Sequence, residues 1–194
     1  MSELDLRIGD DGARAGALGA LPTAEERELL WRIGLFSADD ALALRKMWRI
    51  LQNQTDDYLD MVLGVVAAYP ALATVLDSVR IKNPEKTTEN DADIHRLFRQ
   101  WLQETCMAPH ELSWLKRGYR EWRSSPTAQA TPMPLPNYRY LIVLSIPLVA
   151  TARSLLLANG LAAQPAEEMQ CALLKAILLQ VTLLSKLYVR EGAW

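Results

Sequence analysis

Few side chains in this sequence could do chemistry, and their spacing narrows what that chemistry is. His95, Cys106, His110 and Cys171 are its histidines and cysteines. Cys106 and His110 are spaced to share one helix face, but Pro109 between them breaks the helix that would align them. Zinc takes three or four protein ligands, and His95 and Cys171 would have to complete the set from distant positions, so no metal site is expected. The sequence has no Gly-x-Ser-x-Gly turn, no glycine-rich phosphate loop ahead of a helix and no His-Glu-x-x-His helix. Its acids collect at helix starts, where capping accounts for them. An enzyme is not expected. His95 lies at the edge of an apolar stripe containing Ile94, Phe98, Trp101 and Leu102, where an imidazole could border a pocket or simply bond locally. Trp101, Trp114 and Trp122 fall on two consecutive helices and could line one cavity, although burial of their large rings alone explains such residues.

These residues sit in a chain of 194 residues, half of them hydrophobic, with 21 basic and 23 acidic side chains and a net charge of −2. One domain with a substantial core is implied. The slight acidic balance argues against nucleic acid as a partner, since phosphate binding needs a basic surplus. The cysteine content excludes a disulfide-stapled scaffold. The N-terminus is acidic and has no apolar core, so it is not a signal peptide. A cytoplasmic location follows as the default expectation.

Helical signals dominate the pattern. Residues 1–22 carry scattered glycines and little periodicity, and read as a flexible N-terminal tail ahead of a domain over 23–194. Thr23 and Glu26 form a capping box for a helix to about Ile33, with Gly34 as its stop. Ser37 and Asp40 cap a second helical run that reaches Tyr69, with a bend near Gln54 and a spine of Leu44, Met47, Leu51, Tyr58, Val62 and Val65. Asn90 caps a third, whose stripe is Ile94, Leu97, Phe98, Trp101, Leu102 and Thr105. A further helix spans His110 to Arg123. Pro126, Pro132, Pro134 and Pro136 then mark a rigid loop. The last two helices cover residues 137–158 and 166–190, with Pro147 as a kink in the first and Asn159 and Gly160 as its stop. Strand alternation is absent, so the class is all-α.

Those last two helices are apolar almost all round. Tyr140 to Ala152 carries no charge, and Lys175 and Lys186 interrupt Leu173 to Leu187. A membrane span needs roughly 20 mostly apolar residues, so no membrane span is expected and both read as buried core or interface helices. A domain of this size cannot cover two such helices, and the surplus is expected to bury against a second copy as a four-helix bundle.

Taken together, several residue groups resemble the protoglobins, relatives of the sensor domains of globin-coupled sensors. They are Pro136 to Leu141 opening the long helix, Ile146-Pro147-Leu148 with Ala150 and Thr151 inside it, and Leu179-Gln180-Val181 with Tyr188 and Val189 near the end. Leu59 and Asp60 with Gly64 and Pro70, Phe98 with Trp101 and Leu102, and Trp114 with Leu115 also match. The similarity spans roughly residues 23–194. It implies a globin-like fold with an extra N-terminal helix and a homodimer through the last two long helices.

The resemblance also implies a haem pocket, and here the sequence departs from the family. The proximal histidine that typically holds the iron would fall at Ser125, and a serine hydroxyl is a poor iron ligand beside an imidazole. The aromatic pair that members place ahead of Gly64 is Val62 and Leu63. Phe98 matches the family's distal aromatic, and Leu144 and Leu148 keep apolar wall positions. The implied pocket lining is therefore Val62, Leu63, Ile94, Phe98, Trp101, Leu102, Trp122, Ser125, Leu144 and Leu148, with no cofactor. The expected function is a haem-free globin-like sensor or adaptor that binds a small apolar ligand or a protein and signals to a separate partner. The alternative is a gas-binding haem protein with His95 or His110 as an unusual iron ligand.

Overall fold

The computed structural model describes residues 22–69, 87–117 and 138–188, with side chains over 22–69, 95–117 and 141–185. The described fold consists of α1 (Ala24–Ile33), α2 (Ala38–Leu51), α3 (Thr55–Ala67), α4 (Thr87–Met107), α5 (Tyr138–Ala158) and α6 (Ala163–Tyr188). A short helical stretch follows α4 over 113–117, and no strand occurs among the described residues. The expected tail over 1–22 lies outside them except for Pro22.

Helix starts follow the capping chemistry. The Thr23 hydroxyl accepts from the Glu26 amide at 3.2 Å, and Glu26 Oε2 accepts from the Thr23 amide at 2.7 Å. Ser37 and Asp40 repeat the exchange at the start of α2, at 3.2 and 2.7 Å. Asp40 also takes Lys175 Nζ from α6 at 2.9 and 3.0 Å. Burial alone would raise its pKa, but the Lys175 ammonium and the Ser37 amide and hydroxyl outweigh that and hold the carboxyl below its ordinary value. One acid thus caps α2 and ties it to α6.

Gly34 ends α1 as expected, but the left-handed turn falls on the next residue. Gly34 has an ordinary φ of −73°. The left-handed residue is Leu35, at φ 52°. The Leu35 amide reaches the Arg32 carbonyl and the Phe36 amide reaches the Trp31 carbonyl, each at 3.1 Å. That is a Schellman ending with leucine where glycine is usual, and the Phe36 ring lies 6.1 Å from Trp31 as its apolar contact. Gly34 suits a close approach instead: a Cβ there would meet Leu179 Cδ2 at 3.0 Å and the Leu30 carbonyl at 3.2 Å. The end of α5 repeats the motif in the usual way, with Gly160 at φ 83° and bonds from Gly160 to Leu157 and from Leu161 to Leu156.

The bend near Gln54 is a complete break between α2 and α3. Arg99 donates to the Gln52 carbonyl at 3.0 Å, and the Gln54 and Asn159 side-chain amides exchange bonds at 2.9 and 3.0 Å. The corner is thereby pinned to α4 and to the end of α5. Beyond the break Tyr58 and Val62 are buried as expected, but the next buried position is Val66, and Val65 is exposed. Leu97, expected in the stripe of α4, is also exposed. α4 begins at Thr87 and α6 at Ala163, each a few residues before the expected start.

The pairing of α5 with α6 is the most extensive in the fold, and α2 packs on α6, α4 and α5. The main core joins Leu44, Met47, Leu51, Tyr58, Val62, Leu102, Leu156, Leu173 and Ile177. A second cluster gathers Trp31, Leu112, Leu115, Leu179 and Leu183 beneath α1. Leu141–Ala158 and Ala163–Ser185 are long and apolar enough to cross a membrane by length and composition, and only 28% and 50% of these stretches is buried within the chain.

The corner of α1 gives a direct test of these roles. Leu35→Gly is expected to raise stability by about 0.5–1 kcal/mol, the relieved left-handed strain less the added backbone entropy. Gly34→Ala is expected to lower it, because Leu179 has to move. Urea midpoints of both variants read the two signs.

Candidate functional site

The described residues among those expected to line a pocket come from α3, α4 and α5, and all but Leu63 join or pack against one core. Val62 and Leu102 are buried in the main core, and Phe98, Trp101, Leu144 and Leu148 are partly buried against it. Leu63, also partly buried, follows Val62 on α3. The Ile94 side chain, Trp122 and Ser125 lie outside the described residues. The structure separates Trp101 from Trp114, which packs against the second cluster beneath α1.

Three aromatic rings organise the site. Phe98 meets Tyr58 edge-on with centroids 5.3 Å apart and an interplanar angle of 78°. On its other side it lies 5.6 Å from Trp101 at 40°. Such tilted and edge-to-face contacts suit the ring quadrupoles. Tyr58 is fully buried, so its hydroxyl needs a partner, and it donates to the Leu148 carbonyl on α5 at 2.6 Å. Burial, aided by the neighbouring Cys106, pushes its phenol well above the ordinary range. Trp101 Nε1 donates to Gln180 Oε1 on α6 at 2.9 Å. Gln180 Nε2 in turn donates to Thr105 Oγ1 at 2.9 Å.

Tyr58, Thr105 and Gln180 are the residues that the sequence reading does not assign to the site. Their signal is faint but physical. A tyrosine on a buried spine requires a hydrogen-bond acceptor, and a glutamine between Leu179 and Val181 is a polar group inside an apolar run.

The two histidines stand apart from this group. His95 Nε2 lies 3.0 Å from Asp60 Oδ1, at the surface where α4 faces α3. It borders an open hollow of about 560 Å³ with Asp56, Arg96 and Arg99. His110 packs its ring 5.5 Å from both Trp31 and Phe36. It sits in the turn before 113–117, where no helix aligns it with Cys106. Cys106 is fully buried, and burial pushes its thiol far above the ordinary range, so it offers no thiolate. No group of three or more His, Cys, Asp or Glu side chains that could hold a metal ion occurs among the described residues.

The protoglobin family profile matches residues 24–194. The chain belongs to the protoglobin family. Among curated proteins none matches it. Protoglobins ordinarily hold haem; among the described residues His95 is engaged with Asp60 and His110 with Trp31 and Phe36, and burial raises the Tyr58 phenol and the Cys106 thiol above their ordinary values. Among the described residues the site is an apolar wall whose Tyr58, Trp101, Thr105 and Gln180 polar groups are paired with one another or with the Leu148 carbonyl.

Removing one atom tests the anchoring of this wall. Tyr58→Phe keeps the ring contact with Phe98 and loses the bond to Leu148. It is expected to cost about 1 kcal/mol of stability, read from urea unfolding, with far-ultraviolet circular dichroism unchanged.

Proposed function

We propose that this protoglobin is a haem-free sensor or adaptor of the cytoplasm. It acts by binding a small apolar ligand beside Phe98 and by pairing through the outer face of α5 and α6, and it catalyses no reaction. The observation that carries the reading is Ser125 at the position where the family's proximal histidine is expected. A neutral hydroxyl gives iron little of what an imidazole gives. The engagement of His95 with Asp60 and of His110 with Trp31 and Phe36 supports the reading. Haem held through His95 or His110 is the competing possibility. It requires His95 to leave Asp60, or His110 to leave its aromatic nest.

A second copy of the chain is the partner we propose for the outer face. Ile142, Val143 and Ile146 on α5 and Leu174 and Leu178 on α6 are exposed large hydrophobics, with Ile146 at 66%. Two helices with apolar outer sides form a closed four-helix bundle when paired about a two-fold axis. The Lys175–Asp40 pair, midway along α6, favours an aqueous setting over a bilayer, where a charged pair is costly. A separate protein would read the signal.

Two experiments test the proposal. Purified protein titrated with haemin is expected to show no stoichiometric Soret band, and Ser125→His is expected to gain one. A stoichiometric band in the unaltered protein, lost in His95→Ala or His110→Ala, overturns the haem-free reading. In sedimentation equilibrium the chain is expected to be a dimer, and Ile146→Glu or Leu178→Glu a helical monomer.

A further inference from the structure

We infer that Gln180 is a positioning residue that couples the outer face of α5 and α6 to the aromatic wall around Phe98. The inference rests on the function proposed above and adds a route between its two surfaces.

The argument begins with what joins α6 to α4. α6 has its close neighbours in α5, α2 and α1. Gln180 gives it two side-chain bonds to α4, one to Trp101 and one to Thr105. Gln180 is only 4% exposed, so water cannot replace either bond. The amide orientation is fixed by chemistry, because an indole N–H can only donate and the carbonyl oxygen must face it. The amide therefore acts as a strut of defined length and direction between the two helices.

Trp101 passes that constraint on. Its ring lies against Phe98, Phe98 lies edge-on to Tyr58, and Tyr58 is bonded to the Leu148 carbonyl. The row Trp101–Phe98–Tyr58 is thus strung between α6 at one end and α5 at the other. These same two helices carry the exposed Ile142, Val143, Ile146, Leu174 and Leu178. Leu178 is two residues from Gln180. A shift of α6 relative to α5, such as pairing with a second copy would impose, has to stretch a hydrogen bond or turn a ring. Hydrogen bonds weaken steeply with misalignment, so the rings turn. A ligand beside Phe98 that favours one ring arrangement then favours one arrangement of the outer face, and the reverse holds by linkage.

The test uses the full chain labelled with 5-fluorotryptophan, with the Trp101 fluorine resonance assigned by its loss in Trp101→Phe. The protein is diluted through dimer dissociation, followed by sedimentation in the same samples. The Trp101 resonance is expected to shift between dimer and monomer in the unaltered chain and to lose that shift in Gln180→Met. A purely structural role for Gln180 would move the resonance equally in both states and leave the difference intact. That result overturns the inference, as does a stationary resonance in an unaltered dimer that dissociates. Should Gln180→Met fail to fold, Thr105→Val, which frees the far end of the amide, is expected to reduce the shift by at least half, and an undiminished shift overturns the inference. A chain that is monomeric at every concentration overturns the dimer reading itself, and the coupling with it.

Discussion

The fold depends on covering α6. This helix is apolar on nearly every side, and each of its neighbours answers one part of that surface. α5 runs back along it, α2 packs on it, and the end of α1 closes over Leu179 so that a Cβ at Gly34 would lie 3.0 Å from Leu179 Cδ2. Apolar surface drives the assembly through its removal from water. Specificity comes from a few polar ties set into it. Asp40 to Lys175 fixes α2, Gln180 fixes α4, and the Lys175 bond to the Leu35 carbonyl at 3.0 Å fixes the corner of α1. Their strict geometry turns a greasy contact, tolerant of sliding, into one arrangement.

The features legible in the sequence are those settled within one or two helical turns. The capping boxes at Thr23 and Ser37, the stop at Gly160 and the break near Gln54 follow from local chemistry, and the structure agrees with all four. Errors arise where a local signal admits two readings. Val65 and Val66 differ by 100° on the helix, and they lie three and four residues past Val62, both permitted steps of a helical stripe, so the pattern alone cannot say which one is buried. Gly34 does stop the first helix, as expected, but its neighbour Leu35 takes the left-handed conformation and the glycine also faces Leu179, far along the chain.

The same limit explains the site. The candidates Val62, Phe98, Leu102, Leu144 and Leu148 are found because apolar periodicity and family resemblance are visible in one dimension. The residues that hold them are not. Tyr58 finds its acceptor 90 positions away and Trp101 finds Gln180 at a separation of 79. A sequence can state that a buried phenol or amide needs a partner. It cannot name the partner until the helices are placed.

A globin without an iron ligand faces a different physical problem from one with it. Iron gives the ordinary globin a single strong directional bond, and chemistry at that bond is what the protein senses. An apolar site lacking it can respond only through differential contact, since a ligand shifts an equilibrium by no more than the difference in its affinity for the two states. That places the burden on the walls, which must have two arrangements of similar energy and a defined geometry in each. A row of three rings meets the first need, because tilted aromatic contacts are shallow minima worth about 0.5–1.5 kcal/mol each. The bonds at its ends, Gln180 to Trp101 and Tyr58 to Leu148, meet the second. On the function proposed here, sensitivity resides in the middle of the row and direction in its two anchors. On that proposal, replacing the iron bond by packing divides the decisive role between the ring in the pocket and the flanking helices that anchor its neighbours.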